Sequence, residues 1–157
     1  MRLNVGSVAS RVVVTAPPGM LVAGAARLMR EHHVGTLVIV DTTTGAPRPT
    51  GLVTDRDLVM EILAQGVNPD LVAVGDLPGR PVVTAREDDT LFDAIQTMNR
   101  NGIRRLVVVD AQGNLAALLS MDDVIGVLAE EMTGMSKTLD IEARTERAQR
   151  PAVAGVE

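Results

Sequence analysis

The 157-residue chain has no cysteine, tryptophan or tyrosine, a single phenylalanine (Phe92), a single lysine (Lys137) and two histidines, His32 and His33. The missing thiol excludes disulfides, thiolate metal sites and cysteine nucleophiles. With one aromatic residue, a core has to be assembled from Val, Leu, Ile, Ala and Met, so a bound base would meet aliphatic side chains. No apolar run approaches the ~18 residues of a membrane span, and Met1 to Ser10 lack a long apolar stretch. A cytoplasmic protein without a membrane partner is expected. The net charge of -5 lacks the basic surface that captures phosphate backbones, so no nucleic-acid partner is expected either.

Enzyme signatures are also missing: there is no Walker loop, no Gly-x-Gly-x-x-Gly, no His-Glu-x-x-His and no serine elbow. Nothing pairs a nucleophile with a base, so no catalytic residue is assigned. His32 and His33 are adjacent, and neighbours on a helix diverge by about 100°, which does not suit one shared metal ion. No metal site is expected.

What the chain does have is a repeat. A shift of 69 residues aligns Val5 to Asp41 with Val74 to Asp110 without a gap, and 13 of those 37 positions are identical, too many for anything but duplication. After Asp110 the shift becomes 66, because the first copy carries three extra residues in the turn-rich loop Asp41 to Thr50, where insertion is tolerated. A unit of this size would be marginal alone, which makes the copies mutually dependent.

Each copy predicts the same elements. A short β-branched strand (Val12 to Val14; Val82-Val83) precedes a helix whose apolar positions Val22, Ala25, Ala26 and Met29, or Leu91, Ala94, Ile95 and Met98, share one face. The unbroken runs Leu37 to Val40 and Leu106 to Val109 suit strands covered on both sides. A turn, another strand (Gly51 to Val53; Leu115 to Leu119) and a second helix from about Asp55 or Met121 follow, giving β-α-β-β-α. The organisation is repeat 1 over residues 3–64, a linker over 65–73, repeat 2 over 74–128 and a polar tail over 129–157. In that tail Met132, Met135 and Leu139 hint at an extended helix, and the end from Gln149 looks frayed.

The sharpest local signal is Gly51-Leu52-Val53-Thr54-Asp55-Arg56-Asp57, echoed by Ala117-Leu118-Leu119-Ser120-Met121-Asp122-Asp123. Each puts a hydroxyl at a strand-to-helix junction and a carboxylate three residues on. Two roles suit that spacing. One is a capping box, in which both side chains satisfy free backbone N–H groups. The other is a site: the helix start and Thr54 would meet an anion such as a phosphate, and Asp57 would accept hydrogen bonds from two ribose hydroxyls. The acidic run Glu87-Asp88-Asp89 before Thr90 reads as a solvated turn leading to a helix cap.

These motifs resemble the tandem CBS domain, or Bateman module: the β-α-β-β-α order, the Gly-hydrophobic-hydrophobic-Thr/Ser-x-x-Asp signature, Ala25 to Met29 and Ala94 to Met98, and the Val-Val-Asp strand ends. The resemblance covers roughly residues 3 to 128. It implies an α/β (α+β) pseudo-twofold CBS pair enclosing two clefts for adenosine derivatives: AMP, ADP or ATP foremost, S-adenosylmethionine or NAD-type nucleotides otherwise. In that family each cleft is crossed between copies. Carried over, one cleft holds Thr84, Arg105, Thr54 and Asp57, and the other Thr15, Thr36, Ser120 and Asp123. Arg105, where the first copy has Thr36, becomes the candidate phosphate clamp; Ala117 in place of Gly51 leaves less room in the second cleft.

The resemblance further implies a homodimer and a non-catalytic regulatory module, acting in trans on a protein effector and needing no cofactor for chemistry. A ligand-free structural or interaction module is the alternative, and a nucleotide hydrolase the remote one.

Overall fold

The computed structural model describes residues 3–79 and 81–149. It divides into two compact units, Met1–Met121 and Asp122–Glu157. The first unit opens with a short helix α1 (Val5–Val8), followed by β1 (Thr15–Ala16), α2 (Val22–His32), β2 (Thr36–Asp41) and β3 (Arg48–Thr54). A single α-turn, Asp55–Asp57, runs directly into a π-helical stretch, Leu58–Leu63; together they form α3. A 3₁₀ turn at Val74–Asp76 leads into the second set: β4 (Thr84–Arg86), α4 (Leu91–Asn101), β5 (Arg105–Val109) and β6 (Leu115–Ser120). Helix α5 (Met121–Gln149) starts at the last residue of the first unit and supplies the helix of the second.

The strands form two three-stranded sheets, β1-β2-β3 and β4-β5-β6, each with its first pair parallel and its second antiparallel. Even the irregularities repeat. The ladder slips between Ile39 and Val40 in one sheet and between Val108 and Val109 in the other, which are equivalent positions. The expected first strands Val12 to Val14 and Val82-Val83 lie one step too early, because the parallel ladder starts only where Val38 N–H reaches the Val14 carbonyl (3.1 Å) and Val107 N–H the Val83 carbonyl (3.3 Å). The expected strand Gly51 to Val53 is longer, beginning at Arg48 inside the loop that was read as turn.

Period-two alternation divides the side chains of the first sheet. Leu37, Ile39 and Val53 pack with Val22, Ala25 and Met29 of α2, whereas Val38, Val40 and Leu52 meet Val82, Val107, Val109, Leu115 and Leu118 of the second copy. This second cluster is a core shared between the two sheets, and it explains why the central strands carry no polar alternation.

The copies also exchange their first residues. Val5 N–H donates to the Asp89 carbonyl (2.9 Å) and Gly6 N–H to that of Glu87 (2.9 Å), while Val74 N–H donates to Met20 (2.8 Å) and Gly75 N–H to Pro18 (2.9 Å), the same two bonds displaced by the repeat. Val74, 2% exposed, is thereby built into the core of the other copy. A Cβ on Gly75 would stand 2.8 Å from the Pro18 carbonyl oxygen, and one on Gly6 would stand 3.0 Å from Glu87 Cβ. The repeated Val-Gly pair is therefore the clasp between two units that depend on each other.

The residues between the copies are tied down as well: Val22 N–H bonds the Val72 carbonyl (2.9 Å) and Ala23 N–H that of Pro69 (3.1 Å). In the second unit, α5 continues without a break from the residues assigned to repeat 2 through the polar stretch that follows, up to Gln149. The frayed end expected from Gln149 onward lies, past Gln149 itself, outside the described residues. No helix of the described residues is long and apolar enough to cross a membrane.

Candidate functional site

The alternation that builds the shared core also sets the site. Thr36 and Thr54 are direct cross-strand partners in the antiparallel ladder, and both lie on the sheet face that carries Val38 and Leu52 toward the second copy. Arg105 occupies the matching face of β5, two residues ahead of Val107, opposite Ser120 of β6. Beyond the last apolar layer the two sheets separate into a groove of about 1460 Å³, larger than an ordinary small-molecule pocket.

Thr54, Asp57 and Arg105 all line that groove, so three of the four residues expected in the first cleft are brought together. Thr84 is not among the lining residues; it is the exposed first residue of β4, and its predecessors Val82 and Val83 line the groove instead. For the other expected cleft, Thr15 opens β1 beside Val38, Thr36 and Ser120 lie on the inter-sheet faces, and Asp123 is the third residue of α5, in the second unit.

Thr54 caps α3. Its backbone N–H donates to Asp57 Oδ2 (2.8 Å), its hydroxyl donates to the same oxygen (2.7 Å), and Asp57 N–H donates back to Thr54 Oγ1 (3.2 Å). The capping box is formed, with Asp57 Oδ1 receiving no hydrogen bond among the described residues. Both roles read from the sequence thus remain compatible with one geometry, since one carboxylate oxygen holds the cap and the other is unspent. The start of α4 is an internal control. Thr90 and Asp93 make the same hydroxyl-to-carboxylate bond (2.7 Å) and the same return bond (3.1 Å), yet neither lines the groove. Thr-x-x-Asp alone makes a cap; a groove and a facing guanidinium are what distinguish Thr54 and Asp57.

Arg105 is half-buried and belongs to neither of the ion pairs Arg11–Glu87 and Arg86–Asp88; no carboxylate of the described residues pairs with it. An arginine held partly out of water without an acid partner is suited to an anionic ligand. Arg56 and Arg104 line the groove too, against the carboxylates of Asp41, Asp55 and Asp57, so its electrostatic character is mixed and not uniformly basic. Asp41 sits at the end of β2, where the Thr43 backbone N–H (2.8 Å) holds its carboxyl below the usual range. Asp110 repeats the arrangement in the second copy, lowered chiefly by the backbone N–H of Asn114 (2.8 Å).

Sequence reasoning missed the other wall. Leu77, Pro78, Gly79 and Pro81 line the groove across from Gly51 to Asp57. Their counterparts in the first copy behave differently: Ser10 exchanges two backbone bonds with Leu118 of β6, both 2.9 Å, and adds itself to the edge of the sheet. No such bond joins Gly79 to Leu52 among the described residues. Pro78 and Pro81 have no N–H to offer, so this stretch stands off and the groove stays open. The signal was present in the alignment, as prolines where the first copy has Ala9 and Val12.

Gly51 lines the groove, as does its cross-strand partner Ile39. A Cβ there would meet Ile39 Cδ1 at 3.2 Å, on the core side of its own sheet. The missing side chain makes room for Ile39. In the second copy the same cross-strand pair is Val108 and Ala117, one methyl moved from one partner to the other.

Comparison with known proteins agrees with this architecture. The family model described as CBS domain matches residues 5–64 and 74–130. An uncharacterized protein of Methanopyrus kandleri is 40% identical over 125 residues, 80% of this chain and 62% of the relative, so the chain spans under two thirds of that protein. The CBS domain-containing protein YhcV of Bacillus subtilis is 32% identical over 127 residues, 80% of this chain and 86% of the relative. Among solved structures, a CBS domain protein of Pyrobaculum aerophilum complexed with AMP superposes with a TM-score of 0.72 at 25% identity, covering 83% of this chain and 99% of that one. The matched repeats coincide with the two sheet-and-helix sets built above, and the chain belongs to the CBS-domain family.

Proposed function

We propose that this protein is a non-catalytic regulatory module that binds an adenine nucleotide in the groove between its two copies and passes the bound state to a protein effector in trans. The observation that carries the reading is the convergence of Thr54, Asp57 and Arg105 on one groove with aliphatic walls. In this reading the base lies against Leu52, Val82 and Val83. Asp57 Oδ1 accepts from the ribose hydroxyls, and Arg105 with the start of α3 takes the phosphate. AMP is the first ligand to test, because the Pyrobaculum protein was solved in complex with it.

A second reading has an observation of its own. Thr54 and Asp57 already satisfy each other, as Thr90 and Asp93 do where no groove is present, so both could be caps in a ligand-free interaction module. Calorimetry with AMP, ADP and ATP separates the two. Under the sensor reading the wild type binds at least one of them at micromolar concentration, and Asp57→Asn weakens that binding about tenfold or more while the melting temperature moves little, an effect of the size of one charged hydrogen bond. Silence at high micromolar nucleotide, or a large loss of stability with unchanged affinity, supports the capping module instead.

A further inference from the structure

Asp55 lines the groove, and the contacts proposed above do not use it. It opens α3 between Thr54 and Arg56, which line the groove on either side of it. Its N–H donates to the Gly35 carbonyl (3.0 Å), and its own Oδ1 accepts the N–H of Arg56 (2.8 Å). With Asp57 N–H bonded to Thr54 Oγ1, the first three N–H groups of the helix are occupied. A phosphate placed there gains from Arg105 and from the positive end of the helix, and meets no open nest of donors.

The position of this carboxylate is built into the first copy. The bond from Asp55 to Gly35 recurs in the second copy as Met121 N–H to the Arg104 carbonyl (2.8 Å), but the residues that make it differ. A Cβ on Gly35 would stand 2.8 Å from Asp55 Oδ2, so the acid takes the space that a side chain on residue 35 would need. The second copy has a base and no acid at the same two positions, Arg104 and Met121. Around the groove Arg56, Arg104 and Arg105 are balanced by Asp41, Asp55 and Asp57, which leaves the lining without net charge. One phosphate brings about two negative charges to Arg105. Each further phosphate adds charge that a neutral lining does not offset.

We infer that Asp55 is a specificity-determining residue that limits the nucleotide to one phosphate: its fixed charge, seated over Gly35 at the start of α3, repels the second and third phosphates of ADP and ATP. The inference rests on the nucleotide reading of the groove and narrows it to the monophosphate.

Calorimetry with AMP, ADP and ATP, free of divalent cations so that the phosphates keep their charge, tests it in the wild-type chain and in Asp55→Asn. Asparagine keeps an oxygen for the Arg56 N–H and removes only the charge, so the helix start is preserved. The wild type is expected to bind AMP about tenfold or more tightly than ATP, with ADP between them. Asp55→Asn should reduce that preference about fivefold, the effect of one unit charge near the surface. Equal affinities for AMP and ATP in the wild type, or a preference that Asp55→Asn leaves unchanged, overturn the role of Asp55 while nucleotide binding stands. Binding of none of the three overturns the nucleotide reading itself, and the role of Asp55 with it.

Discussion

The two copies share a strand order, a bulge position and a clasp, yet one groove wall stands open where its counterpart is closed. In the first copy Ser10 pairs with Leu118 and extends the edge of the sheet; in the second, Gly79 lies between Pro78 and Pro81 and leaves β3 uncovered. Arg105 lines the open groove, whereas its equivalent Thr36 is 7% exposed, with its Oγ1 buried and without a hydrogen-bond partner among the described residues. The difference teaches that duplication fixed a scaffold, and that a few substitutions at equivalent positions left a groove open on one side of it.

The largest effect is expected where the symmetry is tightest. Gly75→Ala forces a methyl against the Pro18 backbone and should cost about 3 kcal/mol in urea unfolding, near the upper end for overpacking. Gly6→Ala meets Glu87 at slightly longer distances, 3.0 Å to its Cβ and 3.1 Å to its carbonyl oxygen, and should cost roughly half of that. Equal and small losses at both positions would show that the clasp is not what joins the copies.

The Gly51–Ile39 pair gives a sharper and smaller test. Gly51→Ala should destabilise by about 1–2 kcal/mol and Ile39→Val by about 1 kcal/mol. The double variant recreates the Ala117–Val108 packing of the second copy, so it should lose about 1 kcal/mol less than the sum of the singles. Additivity in that cycle would refute the swap of a methyl across the strands.

The smallest effect is a gain. His33 ends α2 in the left-handed region (φ 53°) at the position where the second copy has Gly102 (φ 61°). His33→Gly should raise stability by about 0.5–1 kcal/mol, because a side chain is strained there and glycine is not. A loss would mean that His33 makes a contribution its counterpart does not.

Most of this fold was legible in the sequence because its signals are local and come twice. The apolar faces of α2 and α4 and the unbroken runs of β2 and β5 identify themselves by period, and the 69-residue shift pairs them. The first strands are expected too early because Val13, Val14 and Val82 are β-branched and half-buried, but that burial comes from side-chain packing, Val14 in the core with α2 and Val13 and Val82 between the sheets, and not from a ladder. In the site, Thr54, Asp57 and Arg105 could be read from a motif and a broken match. The Pro78 to Pro81 wall could not, because its importance lies in a backbone bond that Ser10 makes and Gly79 does not. The clasp was likewise hidden: Val-Gly is too short to be a motif, and its partners are supplied by the other copy.

The claim that one side of this scaffold was made into a site is tested most directly by the stoichiometry of AMP binding to the wild-type chain, measured by calorimetry alongside Arg105→Thr, which gives the second copy the residue of the first. The account predicts one nucleotide per chain, with affinity reduced about tenfold or more in the variant, as expected for loss of a charged phosphate contact. Two equivalent sites per chain, or unchanged affinity in Arg105→Thr, would contradict it.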